Sequence, residues 1–179
     1  FLLIDGPISK KINDYITSID DNRFNAVFFE KNRGLAFVLN DGIKKVKDNY
    51  TYIARMDADD ISKSDRFKKQ IEFMKKHNEI DILGTWFQEI DENGKINKTT
   101  REFPLTPEKC FQFFRYRNLV SHPSVMFRST FFNKVSGYPT DFLMNEDTLL
   151  WADAFKENAK FANLQDVLLL YRMTPGVLK

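Results

Sequence analysis

Cysteine is nearly absent from these 179 residues. The single Cys110 cannot form an internal disulfide, so nothing points to an oxidising compartment. Seven Gly and six Pro are too few for a collagen-like or low-complexity chain. Neither charge sign dominates. Lys plus Arg total 27 against 25 Asp plus Glu, a net charge of +2. A general polyanion or nucleic-acid binder would carry a larger, clustered basic excess. The opening run Phe1-Leu2-Leu3-Ile4 is far too short for a signal peptide or a membrane span, and reads as a strand. No Gly-x-Gly-x-x-Gly follows a strand and no Walker-type phosphate loop is present, which argues against a dinucleotide oxidoreductase or a P-loop enzyme. What remains is a globular composition, 42% hydrophobic and 29% charged, of one-domain size, with 18 Phe as its unusual feature.

The first sixty residues alternate between two periods. Phe1 to Asp5 is a short buried-type run closed by Gly6-Pro7. Ser9 is placed to cap a helix whose Ile12, Tyr15, Ile16 and Ile19 share one face. Ala26 to Phe29 is a second strand, followed by a helix carrying Leu35, Val38, Leu39, Ile43 and Val46. Tyr50 to Met56 is a third strand, after which Ser64 could cap a helix with Phe67, Ile71 and Met74 on one side. Strand and helix repeated three times predict a parallel sheet with right-handed crossovers. Ligands in such sheets bind beyond the carboxyl ends of the strands. Those ends carry Asp5, Glu30 and the cluster Asp57-Ala58-Asp59-Asp60.

The second half changes character. Extended stretches at 80–90 and 95–103 flank Asp91-Glu92-Asn93-Gly94, a hairpin signal. Helices are expected over Glu108 to Arg117, Ser129 to Val135 and Asp147 to Lys156, and strands over Ser124 to Phe127 and Val167 to Tyr171.

Three carboxylates within four residues repel one another unless something neutralises them. A hard divalent cation, Mn²⁺ or Mg²⁺, suits oxygen ligands of this kind; the alternative is a solvated turn that caps the next helix. A calcium loop fits worse, because the sixth position from Asp57 is Ser62 and the twelfth is Lys68. A second acidic feature, Asn145-Glu146-Asp147, opens a helix. It reads either as a favourable helix terminus or as a general base near a metal–nucleotide site. His122 reads as a structural histidine, His77 as a surface residue and Cys110 as a core or boundary residue.

Taken in order, the motifs resemble the inverting glycosyltransferases of family 2 with the GT-A fold. They are Ile4-Asp5-Gly6, Asn32-Arg33-Gly34-Leu35-Ala36, Leu39-Asn40-Asp41-Gly42-Ile43, Asp57-Ala58-Asp59-Asp60, His122 to Arg128, Gly137-Tyr138, and Glu146-Asp147 followed by Leu150-Trp151. They span nearly the whole chain. The resemblance implies an α/β fold, a Rossmann-like and mostly parallel central sheet with flanking helices and a small antiparallel hairpin. It implies one domain over 1–179, with a nucleotide-binding half at 1–78 and an acceptor-side half at 79–179, truncated at both ends.

The resemblance also implies roles. Asp5, Glu30 and Asp57 would contact the nucleotide, Asp59 and Asp60 would serve the divalent metal, and Asp147, with Glu146 second, would supply the catalytic base. The implied reaction moves a hexosyl-type sugar from a nucleotide donor, UDP-linked by expectation, to a saccharide or lipid-linked acceptor with inversion. The implied setting is bacterial surface-polysaccharide synthesis at the inner face of the membrane, in the cytoplasm or peripherally bound, without nucleic acid. The chain departs from the family where Ile4 and Pro7 flank Asp5-Gly6 and where the usual first strand is absent, which weakens base recognition by Asp5. Two rivals stand: a nucleotidyltransferase acting on a sugar phosphate, and a non-catalytic nucleotide-sugar-binding module. The Phe-rich stretch from Phe103 to Phe142 would form the acceptor side, although most of its Phe residues read as core.

Overall fold

The computed structural model describes residues 1–141 and 145–173, and Phe142 therefore lies outside the described residues. In chain order the elements are β1 (Leu2–Asp5), α1 (Lys10–Thr17), β2 (Ala26–Phe29), α2 (Leu35–Val46), β3 (Tyr52–Ala54), β4 (Ile61–Ser62), α3 (Arg66–Lys76), β5 (Ile82–Ile90), β6 (Ile96–Arg101), α4 (Pro107–Phe114), β7 (Met126–Arg128), α5 (Glu146–Lys156) and β8 (Phe161–Arg172). Short 3₁₀ turns occupy His122–Ser124 and Ser129–Asn133, the latter where a short helix was expected.

The α/β class stands, but the sheet is not mostly parallel. β1 and β2 pair in parallel as a separate two-stranded sheet. The other six strands form a mixed sheet in the order β3-β7-β5-β8-β4, with β6 on β5. Within it only β5 and β8 run parallel. The third predicted strand does not join the first two. Residues 52–54 pair antiparallel with residues 126–128 instead. Periodicity reports which face of a strand is buried, not which strand lies beside it. β5 and β6 form the expected hairpin. Its turn is closed by the Asp91 carboxylate accepting from the N–H groups of Asn93 and Lys95, and Gly94 takes φ of +82°.

The helices show where pattern and burial agree. Ser9 caps α1 as expected, its hydroxyl accepting from the N–H of Ile12. Of the apolar face on this helix only Ile16 is buried; Tyr15 is 71% exposed. α2 buries Ala36, Val38, Gly42 and Val46, while Leu35 stays exposed. Asp65 rather than Ser64 precedes α3, without a side-chain cap bond, and of the expected face Met74 is fully buried while Phe67 is exposed. The main core gathers Phe127, Phe131, Phe132, Trp151 and Phe161 between the mixed sheet and α5. Their rings meet at 5.0–6.0 Å. Four of the 18 Phe are therefore packing residues first. A smaller cluster of Met74, Ile80, Leu83, Met126 and Ala162 lies under α3.

Between the two sheets runs a cleft of about 880 Å³. One wall comes from β1 and α2, the other from β3 and the loop after it. Asp5 and Asp57 both reach this cleft.

Candidate active site

The acidic loop begins where β3 ends. Arg55 is buried, its backbone N–H donates to the Val125 carbonyl, and its guanidinium pairs with the Asp57 carboxylate at 2.5 Å. The loop is held from below by a buried polar network on α3. Arg66 Nη2 donates to the Arg55 carbonyl at 2.8 Å, and Arg66 Nε donates to Gln70 Oε1 at 3.1 Å. Gln70 Nε2 in turn donates to the carbonyls of Ser124 and Leu83. Burial brings the Arg66 guanidinium down to about 10, and the neighbouring Arg55 charge adds to the drop while Asp60 opposes it. Two cations thus lie under three carboxylates. They offset a repulsion that would otherwise disfavour the loop.

One oxygen from each of Asp57, Asp59 and Asp60 lies within 4.8 Å of the others. Mg²⁺ and similar ions bind oxygens at about 2.1 Å, which puts two ligand oxygens at most about 4.2 Å apart across the ion. The three acids therefore fit a hard divalent cation with a small inward shift of side chains. Water and diphosphate oxygens could complete its shell. The donor set is all oxygen, as such an ion requires.

The three acids expected at the nucleotide separate into two groups. Asp5 lines the cleft, and its carboxylate accepts from the backbone N–H groups of Arg33 at 2.8 Å and Gly34 at 2.9 Å. This fixes the turn into α2, where Gly34 takes φ of +91°. Asp57 faces the same cleft. Glu30 is exposed and stands outside the cleft lining, so it is not brought together with the other two.

The second acidic site opens α5. Asn145 takes a left-handed conformation, φ of +66°, and turns the chain into the helix. Asp147 accepts from the Thr148 N–H at 2.7 Å, and the Asn118 amide approaches its other oxygen at 3.5 Å. The Thr148 hydroxyl donates to Asn118 Oδ1 at 3.0 Å, which locks the three side chains together. Glu146 is half-buried beside them.

Tyr138 belongs to the Gly137-Tyr138 motif. It is buried, its hydroxyl lies 2.8 Å from His122 Nε2, and it lines the cleft. Burial pushes its phenol well above the ordinary value. Arg55 pulls it back, and the charges of Asp147, Glu146 and Asp57 raise it further. One hydroxyl thus feels acids about ninety positions apart in sequence. The Tyr138 backbone is pinned by Asn40 of α2, whose side chain donates to its carbonyl and accepts from its N–H. His122 is held neutral, as burial and then the Arg55 charge drive its pKa well down. The His122 ring packs tilted against Tyr138 and edge-on to Trp151, in keeping with a structural histidine.

Arg55, Arg66, Gln70 and Asn118 escaped the sequence reading, and Tyr138 entered it only as a motif residue without a role. Arg55 carried a faint signal, a cation at the end of an apolar strand directly before the acids.

The chain matches the Glycosyl transferase family 2 model over residues 3–137. It belongs to that family. It is 35% identical to the amylovoran biosynthesis glycosyltransferase AmsE of Erwinia amylovora, over 96% of this chain and 63% of that protein. It is 34% identical to the O-antigen biosynthesis glycosyltransferase WbnJ of Escherichia coli, over 93% of this chain and 63% of that protein. The chain thus spans less than two thirds of the length of these curated relatives. Crystal structures of S. aureus TarS superpose with a TM-score of 0.70 at 16% identity, covering 96% of this chain and 30% of TarS. The UDP complex of TarS residues 1–349 gives 0.64 at 17% identity, over 93% of this chain and 47% of that one. The family's GT-A fold is therefore the fold of this chain, with the mixed sheet described above.

Proposed function

We propose that this family 2 chain carries the donor site and catalytic base of an inverting glycosyltransferase in surface-polysaccharide synthesis. The observation that carries the reading is the carboxylate cluster of Asp57, Asp59 and Asp60 at the edge of a cleft that Asp5 and Asp57 line. A displacement at an anomeric carbon needs two acidic sites facing one volume: one to hold the charged donor, one to take the acceptor proton.

In this reading Asp57 and Asp5 border the nucleotide in the cleft, and Asp59 is the main metal-binding carboxylate with Asp60 beside it. A bound Mn²⁺ or Mg²⁺ supplies positive charge for the diphosphate leaving group. Arg55 orients the Asp57 carboxylate through their ion pair. Asp147 takes the acceptor hydroxyl proton, with the Asn118 amide and the Thr148 N–H orienting its carboxylate. UDP is the proposed nucleotide. It is the nucleotide named for the E. coli galactosyltransferase that acts on a diphosphoundecaprenol-linked sugar, 27% identical to this chain, and it occupies the TarS complex. A saccharide on a lipid carrier is the proposed acceptor, and peripheral binding to the inner membrane face the proposed setting. No helix among the described residues is long and apolar enough to cross a membrane.

Calorimetry with UDP, UDP-sugars and nucleoside triphosphates, with and without Mn²⁺, tests the donor site. Wild type is expected to bind UDP in a metal-dependent way and Asp59→Ala to lose that dependence. Absence of UDP binding overturns the proposal, and preference for triphosphates favours nucleotidyl transfer. Asp147→Asn is expected to keep UDP binding and to lose transfer by about 10²–10⁴-fold, the usual worth of a general base.

A further inference from the structure

Arg172 ends β8, and four of its hydrogen bonds leave the strand. Its backbone N–H donates to Asp60 Oδ1 at 2.8 Å. Its Nε donates to the Asp59 carbonyl at 2.8 Å. Its Nη1 donates to the carbonyls of Asp91 at 2.8 Å and Glu92 at 2.9 Å. One residue therefore grips the acidic loop on one side and the turn of the β5–β6 hairpin on the other.

The register explains why it can. β4 follows Asp60 directly and pairs with β8 through Ile61 opposite Leu170 and Ser62 opposite Leu169. The ladder carries the acidic loop alongside the end of β8, two positions beyond Leu170. On the other edge β5 runs parallel to β8, with Ile90 opposite Arg172, and the Met173 N–H donates to the Ile90 carbonyl at 2.9 Å. The hairpin turn starts at the next residue, Asp91. Arg172 thus sits where two strand ends meet, and its rigid planar fork spans acceptors on both.

We infer that Arg172 is a positioning residue for the metal-binding acids, coupling their loop to the hairpin turn. It holds the backbone at Asp59 and the carboxylate of Asp60, and so sets where the Asp59 side chain projects. It touches no reacting group itself. The inference rests on the proposed metal site at these acids, and it adds that the geometry of that site depends on a turn some thirty residues away in sequence. Partners of this outer kind usually change metal affinity by about 10–100-fold when removed.

The test compares wild type with Arg172→Met and Arg172→Lys by backbone hydrogen–deuterium exchange, thermal melting and Mn²⁺-dependent UDP binding. In Arg172→Met, exchange should rise at least tenfold in both segments 57–62 and 91–95, with the α5 core unchanged. Metal-dependent UDP affinity should fall by about tenfold. Arg172→Lys keeps the cation but cannot span all three carbonyls, so it should fall between. Faster exchange in only one segment, or unchanged metal affinity when both loosen, overturns the inference. If wild type shows no metal-dependent binding, the functional proposal fails separately. Exchange then decides the clamp alone: coupled loosening of both segments supports it and unchanged exchange refutes it.

Discussion

Asn40→Ala should be among the costliest single truncations of a polar side chain in this protein. Asn40 makes two hydrogen bonds to one residue: its Oδ1 accepts from the Tyr138 N–H at 2.7 Å and its Nδ2 donates to the Tyr138 carbonyl at 2.8 Å. Alanine removes both and leaves a peptide N–H and C=O at a buried residue without those partners. Stranding such groups costs about 1–3 kcal/mol each. Partial access of water at the half-buried Asn40 position argues for the lower part of that range, so about 2–4 kcal/mol in all. For a chain of this length each kcal/mol moves the midpoint by roughly 2–4 °C, which predicts a fall of about 4–16 °C. Asn40→Asp keeps the acceptor but sets a carboxylate oxygen against the Tyr138 carbonyl, so it should recover little of the loss. Gly137 supplies an internal control. It takes φ of +102°, and a Cβ there would lie 2.4 Å from Asn40 Oδ1. Gly137→Ala should therefore destabilise through both strain and clash, and the clash should vanish in the double variant. The double loss should fall short of the sum of the singles by at least about 0.5 kcal/mol. Scanning calorimetry measures all five proteins. A midpoint for Asn40→Ala within about 1 °C of wild type would refute the reasoning.

Two further outcomes follow from buried groups. His122 titrates far below its unfolded value, so its stabilising contribution is complete above about pH 6.5 and is lost as pH falls from there toward the depressed native pKa. Urea unfolding between pH 7.5 and 5 should lose at most about 1.4 kcal/mol per pH unit more in wild type than in His122→Asn, and parallel slopes would count against the buried neutral imidazole. Cys110 is fully buried, its thiol donates to the Pro104 carbonyl, and burial, then the Glu108 charge, pushes it up to about 12. Native protein should resist alkylation near neutral pH and react in denaturant, as read by mass spectrometry; rapid native modification would contradict the packing.

The parts of this molecule readable in its sequence are those with local causes. Ser9 before a helix, Asn93-Gly94 between two strands and three acids after an apolar run each act within a few residues, and each appears where expected. What could not be read is long-range pairing and polar burial. Tyr52 to Ala54 meets residues 126–128 across more than seventy positions, and nothing in its alternation favours that partner over β1. Arg66 and Gln70 lie on a helix rich in Lys, where a polar residue reads as solvent-facing; both are fully buried because they bond the carbonyls beneath the acidic loop. The same limit applies to the site. Each acidic site could be located alone, with capping as a sufficient local explanation of its residues. The place of Tyr138 at the cleft depends on Asn40, which holds its backbone from ninety-eight positions away. Residues that position others carry no local signature, because the property they satisfy is a distance between segments. That is why the contacts of Asn40, Arg66 and Arg172 with distant backbone carbonyls could not be read from the sequence.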